Sequence, residues 1–534
     1  MSHSVSVAAK LVRDFARATN LLVAGRRFGV RGDGPDADAL ADLLTRLGAR
    51  RATEHPDYLF CFGPGVLTEL PSTAGELVIV QAAPDAIALA LGDELRPGVF
   101  ATANPSVVVV VPGGGSTADA DPVALAGRRI DWARRYMPVT ASIARELGET
   151  VAGLRIGVSM VLEPKTAVLA LALRDAGAEV SVFAHPDETD DAVAEALRGA
   201  GIPVDAHSDA TPDEHLALAL AFLDRGPQVL VDDGSHLIRL AHRHRPDLVR
   251  GLIGATEETT SGLRPLRDLE VAGALETPVI AANDARSKTL FDNLYGTGQS
   301  TIFAIADVLE LDFAGRVVVV AGFGHVGQGV AHHARALGAA VTVAEVDPVL
   351  ALRAVFAGYR VAPLIEAVAS ADVVISATGV AHTIGYDILA ACASDAAIAV
   401  AGGVPQEIAI DAALAAGAIR QTVRPRVERF ALPTGSSVLI LDDGGCINIT
   451  AAEGNPIQIM DLSFAVQLGA IRYLVESTGR LAPGVHALPA DVDDRVAELA
   501  LLATGERVDS ASAMLGAGSA PVAERFAEGN DSAG

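Results

Sequence analysis

Lys288 and Asp292 stand four residues apart in the run Asn283-Asp284-Ala285-Arg286-Ser287-Lys288-Thr289-Leu290-Phe291-Asp292-Asn293, which follows the apolar stretch Pro278 to Ala282. On a helix that spacing puts an ammonium and a carboxylate on one face. As a surface ion pair it would contribute only tenths of a kcal/mol. At the end of a strand beside a nucleotide-binding unit it reads instead as an acid/base pair, because lysine can lose its proton where arginine cannot. Lysine is scarce here: of 41 basic side chains only Lys10, Lys165 and Lys288 are lysine, so each is a candidate for work arginine cannot do. Two acidic stretches accompany the pair. Gln228 to Val231 reads as a strand ending in Asp232-Asp233-Gly234, and Thr256-Glu257-Glu258-Thr259-Thr260-Ser261-Gly262 lies between apolar segments. Acids at the C-terminal ends of parallel strands lie where open α/β sheets bind ligands. A turn or helix cap is the plainer reading of Asp232-Asp233 alone.

The element that must position this chemistry is Arg316 to Asp347. Val317 to Ala321 is a β-branched run suited to a strand buried on both faces. It breaks into Gly322-Phe323-Gly324-His325-Val326-Gly327, a helical pattern follows through Val330, Ala334 and Leu337, and a second apolar run, Val341 to Ala344, ends in Glu345. Gly322 permits the tight turn, Gly324 lets backbone N–H groups approach a pyrophosphate, and Gly327 lets helix and strand pack closely. Glu345 sits where an acid accepts from the adenosine ribose hydroxyls and repels a 2′-phosphate. The dinucleotide is therefore NAD and not NADP.

The chain of 534 residues has room for two or three domains. Its formal charge of −25 argues against nucleic acid and anionic membrane as partners. Apolar runs such as Ser106 to Val111 are too short to span a bilayer and the start lacks a cleavable signal pattern, which places the protein in the cytoplasm. Cys61, Cys392 and Cys446 match neither a disulfide framework nor a zinc pattern, so buried thiols and no metal are expected.

Residues 1–122 read as a small α/β extension with strands at Leu21 to Gly25, Asp57 to Phe62, Leu77 to Gln81 and Val107 to Val111 and a helix at Ala37 to Leu47. The order Leu22-Val23-Ala24-Gly25, helix, Leu47-Gly48-Ala49 faintly echoes the central unit. It lacks GxGxxG and a strand-end acid, which favours a structural or assembly domain over a second nucleotide site. Gly113 to Asp121 reads as a linker. A helix over Ile130 to Glu146 opens an alternation of strands (Arg155 to Met160, Glu179 to Phe183) and helices (Thr166 to Ala176, Asp190 to Ala200).

The motifs DDG, EETTSG, NDxxxKxxFDNLYG, AGFGHVGQG and the strand-end EVDP occur in the order and spacing of one family. From about Arg128 to Leu501 the chain resembles S-adenosylhomocysteine hydrolase. The resemblance implies an α/β protein in which a Rossmann NAD domain (298–455) is inserted in a second α/β domain for substrate (123–297 and 456–510). The small N-terminal domain is extra, and 511–534 forms a disordered tail. It implies tightly held NAD, a nucleoside thioether substrate and a homo-oligomer. The family oxidises the ribose 3′-hydroxyl, which acidifies the C4′ hydrogen. It then eliminates homocysteine, adds water and reduces the ketone again. By motif position Lys288, Asp292, Asp233 and Glu258 are catalytic. Thr259, Thr260, Ser261, Asn293, Gly322, Gly324, His325, Val326, Gly327, Glu345, Thr378, Gly379 and Asn448 hold the cofactor. A lysine desolvated beside a nicotinamide cation is expected to have a lowered pKa and to act as a base.

The chain departs from the family pattern where histidines are expected, at Val161, Gly403 and Asn455, and has Thr297 for a cysteine. The family's tail lysine and tyrosine, which reach a neighbouring subunit's NAD, find no counterpart, and weaker NAD retention is expected. Loss of three imidazoles removes the obvious proton shuttles near neutral pH. The resemblance implies adenosylhomocysteine hydrolysis. The same redox chemistry on another nucleoside, and an NAD-binding regulatory homologue, are the alternatives.

Overall fold

The computed structural model describes residues 2–73, 75–114, 121–402 and 406–509, and is built on three α/β sheets. The middle sheet is wholly parallel, in the order Val204–Asp205, Glu179–Phe183, Arg155–Ser159, Val229–Asp232, Gly254–Glu257, Pro278–Ala281, Gly484–Ala487. Its last strand comes from the far end of the chain. The polypeptide leaves this sheet after Ala281, builds another, and returns to pair Gly484–Ala487 with Pro278–Ala281. The Rossmann unit is therefore inserted, as expected.

The inserted sheet runs Arg360–Val361, Ala340–Ala344, Val317–Ala321, Val373–Ser376, Ala396–Val400, Ser437–Leu441, all parallel, and ends in the antiparallel strands Val427–Ala431 and Ile419–Arg424. The N-terminal sheet runs Arg50–Arg51, Arg27–Arg31, Tyr58–Cys61, Leu77–Gln81, Val107–Val110, Val99–Ala101, Glu94–Arg96. Val107–Val110 is buried at every residue: Val108 and Val110 face helical residues such as Phe15 and Leu40, while Val107 and Val109 face loop residues such as Leu67 and Ala86. One apolar core extends from Phe15 and Phe60 through Met137 and Ile156 to Ile302 and Val330, so all three units share it. Helix Ile457–Glu476 ties the parts together: the buried Asp461 carboxylate accepts from Val139 N–H (3.0 Å) and Thr140 N–H (2.7 Å), capping helix Pro138–Leu147.

Two expectations are corrected. Leu21 to Gly25 is not a strand; the first strand is Arg27–Arg31. The N–H groups of Leu22 and Val23 go to the side chains of Gln458 and Gln299, and Leu22 and Ala24 pack on Ile459 and Tyr295, so this apolar run serves an interdomain contact and no ladder. The helix expected over Ile130 to Glu146 is two, Pro122–Arg135 and Pro138–Leu147, because Pro138 cannot donate into a continuing helix. Helix Ser2–Thr19 and the hairpin Glu94–Arg96 with Val99–Ala101 were not legible. Residues 115–120 of the expected linker and the expected tail beyond 510 lie outside the described residues. No helix among the described residues is long and apolar enough to cross a membrane.

Candidate active site

In the middle sheet the strand order reverses at Arg155–Ser159, and in the inserted sheet at Val317–Ala321. Strands diverge at such points and leave a crevice at their C-terminal ends. Both crevices open into one cavity of about 1180 Å³, bordered by Val161 and Asp233 from one sheet and Gly324 and Thr378 from the other.

Lys288 lies on the short helix Arg286–Thr289, which Asp493 anchors by accepting from the N–H groups of Arg286 (2.8 Å) and Ser287 (3.0 Å). A π-helical turn, Asp292–Gly296, follows and brings Asp292 back over Lys288; such turns recur at functional sites. The Lys288 ammonium, 3% exposed, is 2.8 Å from Asp292, 3.8 Å from Glu258, and donates to Asn283 (3.4 Å) and Asn293 (3.3 Å). Lys288, Asp292, Asp233 and Glu258 thus border the cavity together.

Burial alone would lower the Lys288 pKa, but Asp292, Glu258 and Asp233 outweigh it and push it up. The expected depressed, base-like lysine is therefore corrected: three carboxylates hold it as an ammonium. The groups beside it that are shifted toward neutrality are acids. Burial raises Glu258 to about 7 against the pull of Lys288, with Asp292 and Asp233 adding to the rise. Burial likewise raises Asp233 to about 6. One Glu258 oxygen accepts from Gln467; the other, facing Lys288, has no hydrogen-bond partner.

At the other end, Gly322 turns with φ of +93°, and a Cβ there would come within 2.9 Å of the Ala377 carbonyl. At Gly327 a Cβ would lie 2.0 Å from the Gly322 carbonyl, so helix His325–Ala336 can sit against the strand only with glycine there. At Gly324 a Cβ would meet nothing within 4 Å, leaving loop backbone open to the cavity. Glu345 accepts from Phe323 N–H at 2.6 Å, and so holds its carboxylate beside the glycine loop. Open backbone amides, a helix N-terminus and an adjoining acid fit a pyrophosphate and an adenosine ribose. Gly324, His325, Val326, Thr259, Thr260, Ser261, Asn293, Thr378, Gly379 and Asn448 border the cavity, whereas Gly322 and Gly327 are buried behind the loop and Glu345 is half-exposed beside it.

Residues 293–454 match the family model for the S-adenosyl-L-homocysteine hydrolase NAD-binding domain. An adenosylhomocysteinase from Thermotoga maritima is 41% identical over 387 residues, 71% of this chain and 95% of its own. The chain belongs to the S-adenosyl-L-homocysteine hydrolase family. It is an enzyme of that NAD-dependent type, and NAD is its cofactor. The adenosylhomocysteinase of Thermoplasma acidophilum is 38% identical, covering 71% of this chain and 94% of its own. A protein named S-inosyl-L-homocysteine hydrolase, from Methanopyrus kandleri, is 39% identical, covering 70% and 90%.

Relative to the family pattern, the altered positions cluster. Val161, Asn455 and Thr297 all border the cavity; Gly403 lies outside the described residues. Asn455 donates to Asp292 and to Thr297 Oγ1 (3.2 Å), and its carbonyl accepts from Ser300 (2.8 Å) and Asn448 (3.3 Å). An amide with all its capacity taken cannot relay a proton as an imidazole does.

Two supports escaped sequence reasoning, and a third was flagged only by the rarity of its residue type. Buried Glu257 accepts from the N–H groups of Gly234, Ser235 and Thr259, knitting the two acidic loops together. Glu407 accepts from Ser376 and Thr378 beside the cofactor loop. Lys165, 2% exposed, pairs with Glu163 at 2.8 Å on the cavity wall; its rarity was the available signal. That signal misleads for Lys10, a surface partner of Asp14.

Proposed function

We propose that the enzyme oxidises the 3′-hydroxyl of a nucleoside bearing a 5′-thioether, eliminates the thiol, adds water and restores the hydroxyl, with adenosylhomocysteine giving adenosine and homocysteine. What supports this most is the placement of a buried Lys288–Asp292 pair, flanked by two carboxyl groups that titrate near neutrality, in the cavity that the glycine loop borders. NAD, when bound, supplies the hydride acceptor and returns the hydride at the end. The Lys288 ammonium would hold the 3′-oxygen and stabilise its developing negative charge. Glu258 or Asp233 would accept the hydroxyl proton, and later the C4′ proton once the 3′-ketone has acidified it. Loss of the C4′ proton expels the 5′-thiolate as a double bond forms between C4′ and C5′. Addition of water across that bond and reprotonation at C4′ complete the exchange. Thr259, Thr260, Ser261, Asn293, Thr378, Gly379, Asn448 and the 322–327 loop would hold the cofactor, with residues 298–455 as its domain and 123–297 with 456–510 as that of the substrate.

A second reading is favoured by the altered cavity wall at Val161 and Asn455 and by the relative named for S-inosyl-L-homocysteine: the base differs from adenine. One experiment tests both. The protein is mixed with S-adenosylhomocysteine or S-inosylhomocysteine, and NADH absorbance and homocysteine are followed. NADH formed with the adenosyl compound supports the first reading, and NADH formed with the inosyl compound alone the second. No NADH with either removes both.

A further inference from the structure

Residues 24–49 align without a gap on residues 314–339, at a constant offset of 290, and ten of the 26 positions are identical, among them Gly32 with Gly322 and Gly34 with Gly324. The backbones agree. Gly25 and Gly315 have φ of +74° and +76°, Gly32 and Gly322 both +93°, and Gly48 and Gly338 +89° and +95°. Gly25 N–H donates to Gly48 O as Gly315 N–H donates to Gly338 O. Helices Ser2–Thr19 and Thr297–Leu309, which precede the two first strands, end at the same offset.

All seven strands of the N-terminal sheet have a counterpart, and the eighth strand of the inserted sheet, Arg360–Val361, has none. From Arg50–Arg51 through Arg27–Arg31, Tyr58–Cys61, Leu77–Gln81 and Val107–Val110 to the antiparallel pair, the N-terminal order repeats that from Ala340–Ala344 to Ile419–Arg424, with every pair of the same sense. Convergence on one Rossmann topology does not produce a gap-free register with matching glycine dihedrals.

The two units also meet as related partners would. Arg17 and Asp307 occupy equivalent positions and pair with each other at 3.6 Å. The Leu21 carbonyl accepts from Gln299 (3.0 Å), and its counterpart, the Leu311 carbonyl, accepts from Arg13 (2.9 Å). The donors are not exact equivalents, since Gln299 corresponds to Ala9 and Arg13 to Phe303, one helical turn apart, so the Arg17–Asp307 contact marks an approximate two-fold relation between the units.

The copy lacks what a dinucleotide needs. Gly34 has φ of +111° where Gly324 has −64°, so the loops diverge at the glycine that would face a pyrophosphate. Ala37 replaces Gly327, and Asp36 and Asp38 put negative charge in the first helical turn, where an anion would bind.

We propose that residues 2–110 are an internal copy of the NAD-binding unit that has lost its dinucleotide site and occupies, within one chain, the place of a second NAD-binding unit across a two-fold axis. The face bearing Gln299, Asp307 and Leu311 is thereby covered in cis. The copy also reaches the cavity wall: Asn20 accepts from Lys165 on that wall at 3.0 Å, and Arg96 pairs at 2.7 Å with Glu453, next in the chain to the wall residue Gly454.

Two measurements on the full chain test this. Arg17→Cys combined with Asp307→Cys, treated with a short bis-maleimide, is expected to give a linked product that runs as a single chain under denaturing conditions; linked pairs of chains would show the contact to lie between molecules and overturn the proposal. Protein saturated with NAD is expected to release one dinucleotide per chain, and two per chain would overturn it.

Discussion

Asn455 donates its side-chain amide to one oxygen of the Asp292 carboxylate while Lys288 reaches the other at 2.8 Å. The buried ion pair is thus buttressed by a group that cannot titrate, at a position where the family pattern has a histidine. In the proposed reaction, oxidation at C3′ would rely on Lys288 and its carboxylates, whereas protonating the leaving thiolate and activating water would need a shuttle on this side of the cavity. Substrate is therefore expected to reduce bound NAD faster than homocysteine appears, and Asn455→His is expected to narrow the gap. Stopped-flow absorbance set against thiol release checks this; equal rates in the parent protein would refute it.

Lys288→Arg keeps the positive charge but not the geometry. The ammonium fits among Asp292, Asn283 and Asn293 in a site 3% exposed, and a guanidinium is larger and planar. NAD reduction is expected to fall by about 100-fold or more, in the range of a lost charge-stabilising donor, with the bound NAD content unchanged. Single-turnover absorbance measures it; a rate near that of the parent would remove Lys288 from the chemistry.

Glu258 must be ionised to accept a proton, and burial holds its pKa at about 7. The rate of NAD reduction is expected to rise with pH through about 7 and to lose that limb in Glu258→Gln. Stability has the opposite sign. A carboxyl whose folded pKa lies above its ordinary 4.5 contributes fully below 4.5 and loses that contribution as pH rises through 7. Unfolding titrations at several pH values should therefore show Glu258→Gln gaining on the parent between pH 4.5 and 7.

The two loop glycines should fail differently. A Cβ at Gly327 collides with the Gly322 carbonyl, so Gly327→Ala is expected to destabilise the fold by about 1–3 kcal/mol and to weaken NAD binding. At Gly324 the added methyl meets nothing within 4 Å. Gly324→Ala is expected to leave the melting temperature close to that of the parent while weakening NAD binding. Thermal unfolding and NAD titration on the same samples separate the two.

Glu345 is held beside the glycine loop through Phe323 N–H. NAD is expected to bind more tightly than NADP, and Glu345→Gln to shrink the preference by about tenfold through loss of one like-charge repulsion. Competition between the two dinucleotides measures the ratio.

Local order determined much of this protein before any contact was known. The Val317–Ala321 run, the glycines at 322, 324 and 327 and the acid at 345 report on neighbours within one turn or one strand crossing, and such short-range constraints are written in residue type and spacing. The Lys288–Asp292 pair was legible for the same reason. Its charge state was not, because burial opposes the local pull of Asp292 while Glu258 and Asp233, which come from other strands of the sheet, add to it. Nor could spacing reveal that Glu257 would knit two loops or that Asn455 would brace Asp292. Leu21 to Gly25 failed for a related reason: its apolar pattern suits a strand, but its N–H groups find Gln458 and Gln299 from distant helices. Once that stretch is placed outside the sheet, the strand at Arg27–Arg31 falls into register with Val317–Ala321, and the faint echo between the two units becomes a match at every strand. Sequence alone determined the cofactor loop and the reactive pair, because both are local. Tertiary structure decided protonation, bracing and the pairing of the two Rossmann units, because each arises from groups that only folding brings within a few ångströms.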